Sequence, residues 1–351
     1  MALDGEGPRR RILLKDVARR ANVSGSTASR ALADDPRISP STRQAVKVAA
    51  TELHYVPNAA ARSLRVRRTR TLGILLPDLR DPVHGQVASA FERQARQEGY
   101  SVMVVAGERD LIRERLALRV FSEHGTDGVA IVSSVLSPKE LRERVDPARL
   151  VLVWPDHRSL PRRQGPRIPG VIQTDDESGV RAAVDHLIDS GYRRIAYVES
   201  GIRASNTIRA ETVAAALRDR GIRTGFRTFA APIDVWRSHS ELAAEIAGDL
   251  PDALICYDDQ LALTLVDALR EVGVRVPEDL GLVGFDGIPF AGIANPRLTT
   301  VVVPSAEMGR VAATSLIRAI HDGTPPQGEM LRVDLVIRES TRIVPPRGDK
   351  A

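Results

Sequence analysis

Residues 13–64 read LLKDVARRANVSGSTASRALADDPRISPSTRQAVKVAATELHYVPNAAARSL, and this stretch decides the architecture of the front of the chain. Leu14, Val17, Ala18 and Ala21 recur at i, i+3, i+4 and i+7, which puts them on one face of a short helix. Asn22-Val23-Ser24 then interrupts, and the Ser24 hydroxyl can accept from the free N–H groups that open a second helix through Thr27 to Leu32. A third helix opens at Ser39-Pro40, a capping residue followed by proline at the first helical position. It carries Val46, Ala49, Ala50 and Leu53 at the same spacing. Three such helices enclose a small core. The following AAARSLRVRRTR has helical alanines and Leu64, but its last six residues include four arginines, so it reads as a linker with little to bury.

Charge follows this division. The 351-residue chain has a formal net charge of only +5, yet residues 1–70 hold 15 Lys+Arg against 6 Asp+Glu and the remainder is mildly acidic. A concentrated positive module on an acidic body suits a phosphate backbone, because each neutralised phosphate releases counterions. The single cysteine, Cys256, excludes an internal disulfide framework and any structural site built from several cysteines, and in the run ALICYDD it reads as a buried, inert thiol. No apolar run approaches the roughly 20 residues of a membrane span. The basic start MALDGEGPRRR leads into charged, periodic sequence instead of an apolar signal core, so a cytoplasmic protein is expected.

From Thr71 the texture changes to apolar runs alternating with amphipathic segments: LGILLP, YSVMVVAG, DGVAIVSS, RLVLVWP, GVIQTDD, RIAYVES, ALICYDD and LGLVGFD. Such alternation indicates right-handed crossover units and largely parallel sheets, and about 280 residues is too much for one of them, so two α/β lobes are expected. The Pro/Arg-rich LPRRQGPRIPG at 160–170 reads as a surface connection. The seven histidines lack metal-ligand spacing, and the Asp175-Asp176 and Asp258-Asp259 pairs diverge along one segment instead of facing each other as acid and base. No catalytic residue, metal or cofactor is expected.

The stretch 13–64 resembles the headpiece of the lac-repressor/gal-repressor family of transcription regulators. The resemblance runs on through LGILLPD, GYRRIAYVES, YDDQLAL, VPEDLGLVGFD, LTTV and VIRES, and so covers nearly the whole chain. It implies a small all-α helix-turn-helix headpiece (1–55), a hinge helix and linker (56–70), an α/β two-lobed periplasmic-binding-protein-like body with parallel sheets (71–345) and a tail (346–351). The first lobe is expected at about 71–165 and 304–325, the second at about 166–303 and 326–345. A helix-turn-helix places its second helix in the major groove, where base edges are distinguishable. The resemblance makes Gly25 and Ser26 the first base-reading positions, where the family carries larger polar side chains. Thr27, Ser29 and Arg30 would hold phosphates or base edges, with Arg30 the best placed for guanine or backbone. Asn58, Ala61, Arg62 and Leu64 match the hinge helix that enters the minor groove, with Leu64 as the leucine that wedges between base pairs.

Strand ends are where open α/β sheets bind ligands, and they carry Asp78, His84, Trp154, Asp175, Arg203, Ser205, Arg209, Trp236, Asp258 and Asp286. By motif Arg209 and Asp286 resemble the family's effector contacts. Asp258 stands where asparagine is usual, Val83-His84 where paired aromatics are common and Trp154 where aspartate is common. Carboxylates, arginines and an aromatic platform suit a sugar or a related metabolite. Asp175 reads as a turn cap before it reads as a ligand contact. The resemblance implies a homodimer or higher oligomer on a near-palindromic operator, with Val87, Phe91 and Ala95 contributing to the subunit contact. A solute-binding transport protein leaves the basic headpiece unexplained, and a carbohydrate-acting α/β enzyme lacks a converging catalytic set.

Overall fold

The computed structural model describes residues 12–55, 68–155, 170–201, 204–222, 226–231 and 239–342. The chain divides into two units, Met1–Thr69 and Arg70–Ala351. In the first, helices α1 (Leu14–Arg20), α2 (Gly25–Leu32) and α3 (Pro40–Glu52) form where the apolar spacing places them. Ser24 caps α2 by accepting from the Thr27 N–H, and Ser39 caps α3 by accepting from Thr42 with Pro40 at the first helical position. Asn22 takes a left-handed conformation in the turn between α1 and α2, which asparagine tolerates better than most residues. Val17, Ala28, Ala31 and Val46 are fully buried, and Leu14, Ala21, Leu53 and Tyr55 close the rim of this core. The core is small because its residues are mostly alanine, so the helices pack closely and the remaining faces stay polar.

The second unit is built on two six-stranded sheets. The first holds β1 (Thr71–Leu76), β2 (Ser101–Ala106), β3 (Gly128–Val132), β4 (Leu150–Val153), β5 (Gly170–Thr174) and β11 (Glu329–Leu331), all parallel, in the order β11-β5-β4-β3-β1-β2. The second holds β6 (Ile195–Ser200), β7 (Thr228–Ala231), β8 (Ala253–Cys256), β9 (Gly281–Asp286), β10 (Thr299–Val302) and β12 (Asp334–Val336), in the order β12-β10-β9-β8-β6-β7, with only β12 antiparallel. Helices α4 (Pro82–Gln97), α5 (Leu111–Glu123), α6 (Pro138–Arg144), α7 (Asp176–Asp189), α8 (Ala204–Asp219), α9 (Ser240–Gly248), α10 (Asp259–Glu271) and α11 (Ser305–Asp322) supply the crossovers. The strand order reverses at β1 in one sheet and at β6 in the other, and such switch points open a crevice at the carboxyl ends of the strands. Each apolar run of the sequence contains a strand. The short strands β7, β10, β11 and β12 lie outside those runs, because three or four residues leave little periodicity to read, and β7, β11 and β12 also sit at sheet edges.

The lobe boundaries need correction. Strands β5 and β11, placed in the second lobe by the sequence reading, belong to the first sheet. The chain passes between the sheets after Thr174, after Val302 and after Leu331. These passages are tied together: the Asp175 N–H donates to the Leu331 carbonyl at 2.9 Å, and Gly179 packs on Val301 and Val333. Composition could not show this, since an apolar parallel strand looks the same in either sheet.

The expected subunit-contact residues also need correction. Val87, Phe91 and Ala95 are fully buried within their own chain. Their face of α4 is covered by α11, which approaches so closely that a β-carbon on Gly309 would overlap the Val87 carbonyl. The exposed apolar side chains of this lobe include Val104 on the edge strand β2 and Leu111, Ile112 and Leu116 on α5, with Leu79, Val135 and Met330 elsewhere on it. Among the described residues, no helix is long and apolar enough to cross a membrane.

Candidate nucleic-acid interface and effector site

In the first unit, burying Ala28 and Ala31 turns the opposite face of α2 outward. Gly25, Ser26 and Arg30 are exposed, and Thr27 and Ser29 are half-buried at the edges of that face. The Ser26 and Thr27 hydroxyls lie 2.8 and 2.9 Å from the Ser24 Oγ, so the cap organises three hydroxyls at the helix start. This positive end of the helix dipole, with its free N–H groups, favours an anionic oxygen. A β-carbon at Gly25 would meet nothing within 4 Å, so packing does not demand glycine there; the missing side chain is a chemical choice. The acidic groups nearby are held by cations of the same unit. Lys47 reaches Asp34 at 2.5 Å and Arg37 reaches Asp35 at 2.7 Å, and these hydrogen bonds lower both carboxyls below the usual range. Asn58, Ala61, Arg62 and Leu64 lie outside the described residues.

In the second unit, the crevice is built from the carboxyl ends of both sheets. On the first-sheet side, Asp78 follows β1 and Asp81 caps α4 by accepting from the Val83 N–H, with Pro82 at the first helical position. The Arg80 guanidinium donates to Asp78 at 2.9 Å, which lowers that carboxyl. The His84 ring is buried, with Nδ1 3.2 Å from the Asp78 carbonyl and 3.3 Å from Asp81 Oδ2. The imidazole therefore braces the loop after β1 as much as it faces the crevice. Trp154 follows β4 in a left-handed conformation, and its indole N–H donates to Thr174 Oγ1 at 2.8 Å. With the N–H engaged inside the protein, the ring has only its face and edge to offer an occupant.

On the second-sheet side the centre is Arg209, which is 6% exposed. Its Nε and Nη2 are each 2.9 Å from Asp176 Oδ2, and its Nη1 donates to the Tyr257 carbonyl at 2.6 Å. The guanidinium carbon lies 3.5 Å from the centre of the Phe285 ring and 4.9 Å from that of Tyr257. Burial opposes the charge, but Asp176 and the neighbouring groups more than offset it, and the arginine stays protonated at any ordinary pH. Asp286 stands at the end of β9 and feels the charges of Arg209, Asp258, Asp81 and Asp259. Burial and the neighbouring carboxylates push its carboxyl far up, against the pull of Arg209. Residues from both lobes, Asp81 among them, thus bear on one point. Asp258 is buried and caps α10 by accepting from the Leu261 N–H at 2.8 Å. Asp175 caps α7 through the Ser178 N–H and hydroxyl. Arg203 and Trp236 lie outside the described residues, as does the side chain of Ser205.

Two residues in and behind this site went unrecognised in the sequence. Asp176 was passed over as half of an adjacent pair, yet it joins the lobes: Trp154 donates to Thr174, Thr174 donates to Asp176 at 2.6 Å, and Asp176 receives Arg209. Its position just past the end of β5 was the available signal. Asp259, fully buried, accepts from Thr300 Oγ1 at 2.5 Å and from the Ile288 N–H at 2.8 Å, and burial pushes its carboxyl up to about 7. Nothing in YDDQLAL distinguishes a buried aspartate from a solvated one. Asp286 itself has φ +107°, a region that costs a residue with a side chain about 1–3 kcal/mol and persists only where the surroundings enforce it. Cys256 is buried beneath the crevice and burial pushes its thiol up, which keeps it protonated and unreactive. Among the described residues, no three His, Cys, Asp or Glu are grouped to hold a metal ion.

A cleft of carboxylates around one buried arginine can bind a ligand rich in hydroxyl or amine donors. Comparisons with known proteins agree with both halves of the geometry. Residues 13–58 match the model for bacterial regulatory proteins of the lacI family, and residues 184–341 match the periplasmic binding protein-like domain. The HTH-type transcriptional regulator GalS of Salmonella typhimurium is 30% identical over 309 residues, spanning 86% of this chain and 88% of that protein. The HTH-type transcriptional repressor PurR of Photobacterium profundum is 28% identical across 94% of this chain and 98% of its own length. The lac repressor dimer bound to operator and the anti-inducer ONPF shares the fold, with a TM-score of 0.82 and 23% identity over 95% of this chain and 99% of that one. The transcriptional regulator CelR in complex with cellobiose superposes with a TM-score of 0.66 at 26% identity, over 94% of this chain and 100% of that one. From the capped reading helix of the first unit to the two-sheet body of the second, the chain belongs to the lacI family of bacterial regulatory proteins.

Proposed function

We propose that this chain is a cytoplasmic, homodimeric transcriptional repressor without catalytic activity, which binds a near-palindromic operator and changes its operator affinity when a small polyhydroxylated effector occupies the cleft of its second unit. The observation that carries the reading is the outward face of α2. Gly25, Ser26 and Arg30 are exposed there on a capped helix, in the part of the chain that holds the excess of positive charge. Thr27 and Ser29 flank that face, and Asn58, Ala61, Arg62 and Leu64 would follow the minor groove as the hinge. The exposed apolar residues Val104, Leu111, Ile112 and Leu116 are the best candidates for the subunit contact.

For the effector, Arg209, Asp286 and Asp258 would pair with donor and acceptor groups on the edge of a ring. Trp154 would offer its face, and Asp78, His84, Arg203, Ser205 and Trp236 would complete the lining. The cellobiose and ribose bound in two proteins of similar fold support a sugar. Electrophoretic mobility of genomic fragments with the intact chain at several salt concentrations tests the reading. Sequence-preferring binding whose affinity falls by about 10³–10⁵ between 50 and 200 mM salt is expected for six to ten phosphate contacts per complex. Binding that is indifferent to salt or to sequence would refute it.

A further inference from the structure

Asp259 lies outside the set of residues assigned to the effector, yet the groups around it all serve one loop. We propose that Asp259 is a positioning residue for the effector site: its buried carboxylate fixes the loop 286–288 and so aims Asp286 at the cleft. The proposal rests on the effector-site reading above and adds to it a residue that touches no ligand.

Asp259 is the first residue of α10 and has no exposed surface. Its Oδ1 accepts from the Thr300 hydroxyl on β10 at 2.5 Å, its Oδ2 accepts from the Ile288 N–H at 2.8 Å, and the Gly287 N–H is a further donor. Two of these donors are the peptide groups immediately after Asp286. On another side the Val303 N–H takes the Asp286 carbonyl at 3.1 Å. The loop is therefore held around Asp286, and that residue is the one with φ +107°. Outliers of this kind persist only when neighbours enforce them.

The sheet also keeps room for the carboxylate. A β-carbon at Gly284, in the middle of β9, would overlap Asp259 Oδ1, while the backbone there is not in the left-handed region. Glycine in VGFD is thus required by its neighbours, the Asp259 carboxylate foremost and Leu298 beside it, and not by its own conformation. Packing alone does not account for the arrangement, since an apolar side chain of similar volume would fill the space without burying a charge. A charged helix start, a hydroxyl on the neighbouring strand and a position without a side chain converge on one loop.

The test uses the intact chain with Asp259→Asn, which keeps the volume but turns an amide N–H₂ toward the donors, and with Thr300→Val and Thr300→Ser. Hydrogen exchange read by mass spectrometry should show the 287–288 amides opening at least about tenfold faster in Asp259→Asn and Thr300→Val, with α11 unchanged and Thr300→Ser close to the parent. In calorimetric titrations with D-ribose, cellobiose, D-xylulose and adenosine, every probe that binds the parent should lose at least about tenfold in affinity in the two disruptive variants. Salt-dependent DNA binding without a probe should be retained. Unchanged exchange, exchange accelerated throughout the chain, or a loosened loop with undiminished affinity would each overturn the proposal. If none of the four probes binds the parent, the sugar reading of the effector fails, and the exchange result still decides whether Asp259 holds the loop.

Discussion

Replacing Asp176 by asparagine removes the carboxylate that faces Arg209 and leaves the guanidinium buried. The side chains of this pair are 8% and 16% exposed, so water offers Arg209 little relief. Breaking a buried ion pair by removing one partner costs about 3–5 kcal/mol. Arg209 keeps the Tyr257 carbonyl and the face of Phe285 in both proteins, so these contacts cancel in the difference. The loss expected is about 3–5 kcal/mol, a fall of roughly 6–10 °C in the melting temperature of a unit this large. Scanning calorimetry of the intact chain, following the transition of residues 70–351, measures it. The double replacement Asp176→Leu with Arg209→Met should be less destabilising than either single change, because no charge is then left without its partner. A shift under about 0.5 kcal/mol for Asp176→Asn, or additive losses in the double variant, would refute the argument that this pair is buried and coupled.

Three further outcomes are expected. Asp259 has a folded pKa of about 7 against an ordinary 3.8, so between those pH values the folded chain binds a proton that unfolding releases. Stability should therefore fall with rising pH by up to about 1.4 kcal/mol per unit through pH 5–6.5 and level off above about pH 8. Denaturant titrations should show a steeper fall in the parent than in Asp259→Asn, which keeps the contribution of the raised Asp286 carboxyl, and parallel curves would contradict it. Leu64→Ala should weaken binding to a specific operator far more than to random DNA, and equal losses in competition assays would mean that Leu64 is not a wedge. Gly25→Gln, where the helix has open space, should leave stability within about 0.5 kcal/mol and shift the preferred base at one operator position, as read by selection from a randomised library. An unchanged selected sequence would place Gly25 away from the bases.

The parts of this molecule that were legible in its sequence are those set by local physics. Ser24 and Ser39-Pro40 announced two helix starts, and the spacing of Val17, Ala18, Val46 and Ala49 announced the faces those helices bury. The resemblance singled out Arg209 and Asp286, and the structure places their charges within reach of each other and of Asp258. What stayed hidden depends on which elements become neighbours in space. Strand β5 reads identically whichever sheet receives it, and Val87 and Phe91 form an apolar stripe that fits a partner subunit as well as it fits α11. Asp176 and Asp259 were hidden for the same reason. Each sits beside another aspartate in the chain, and only the partners across space, Arg209 for one and Thr300 with the 287–288 amides for the other, separate the positioned carboxylate from the capping one.

In a repressor of this build, the occupancy of the cleft and the affinity for the operator are coupled within one chain. The most direct measurement of this coupling is the affinity of the intact protein for a genomic fragment it selects, determined at fixed salt with and without a saturating concentration of a compound that raises its melting temperature. A change of about 5–150-fold in either direction is expected, with the same factor appearing in the affinity for the compound when DNA is bound. Operator affinity that stays constant while the cleft is filled would contradict it.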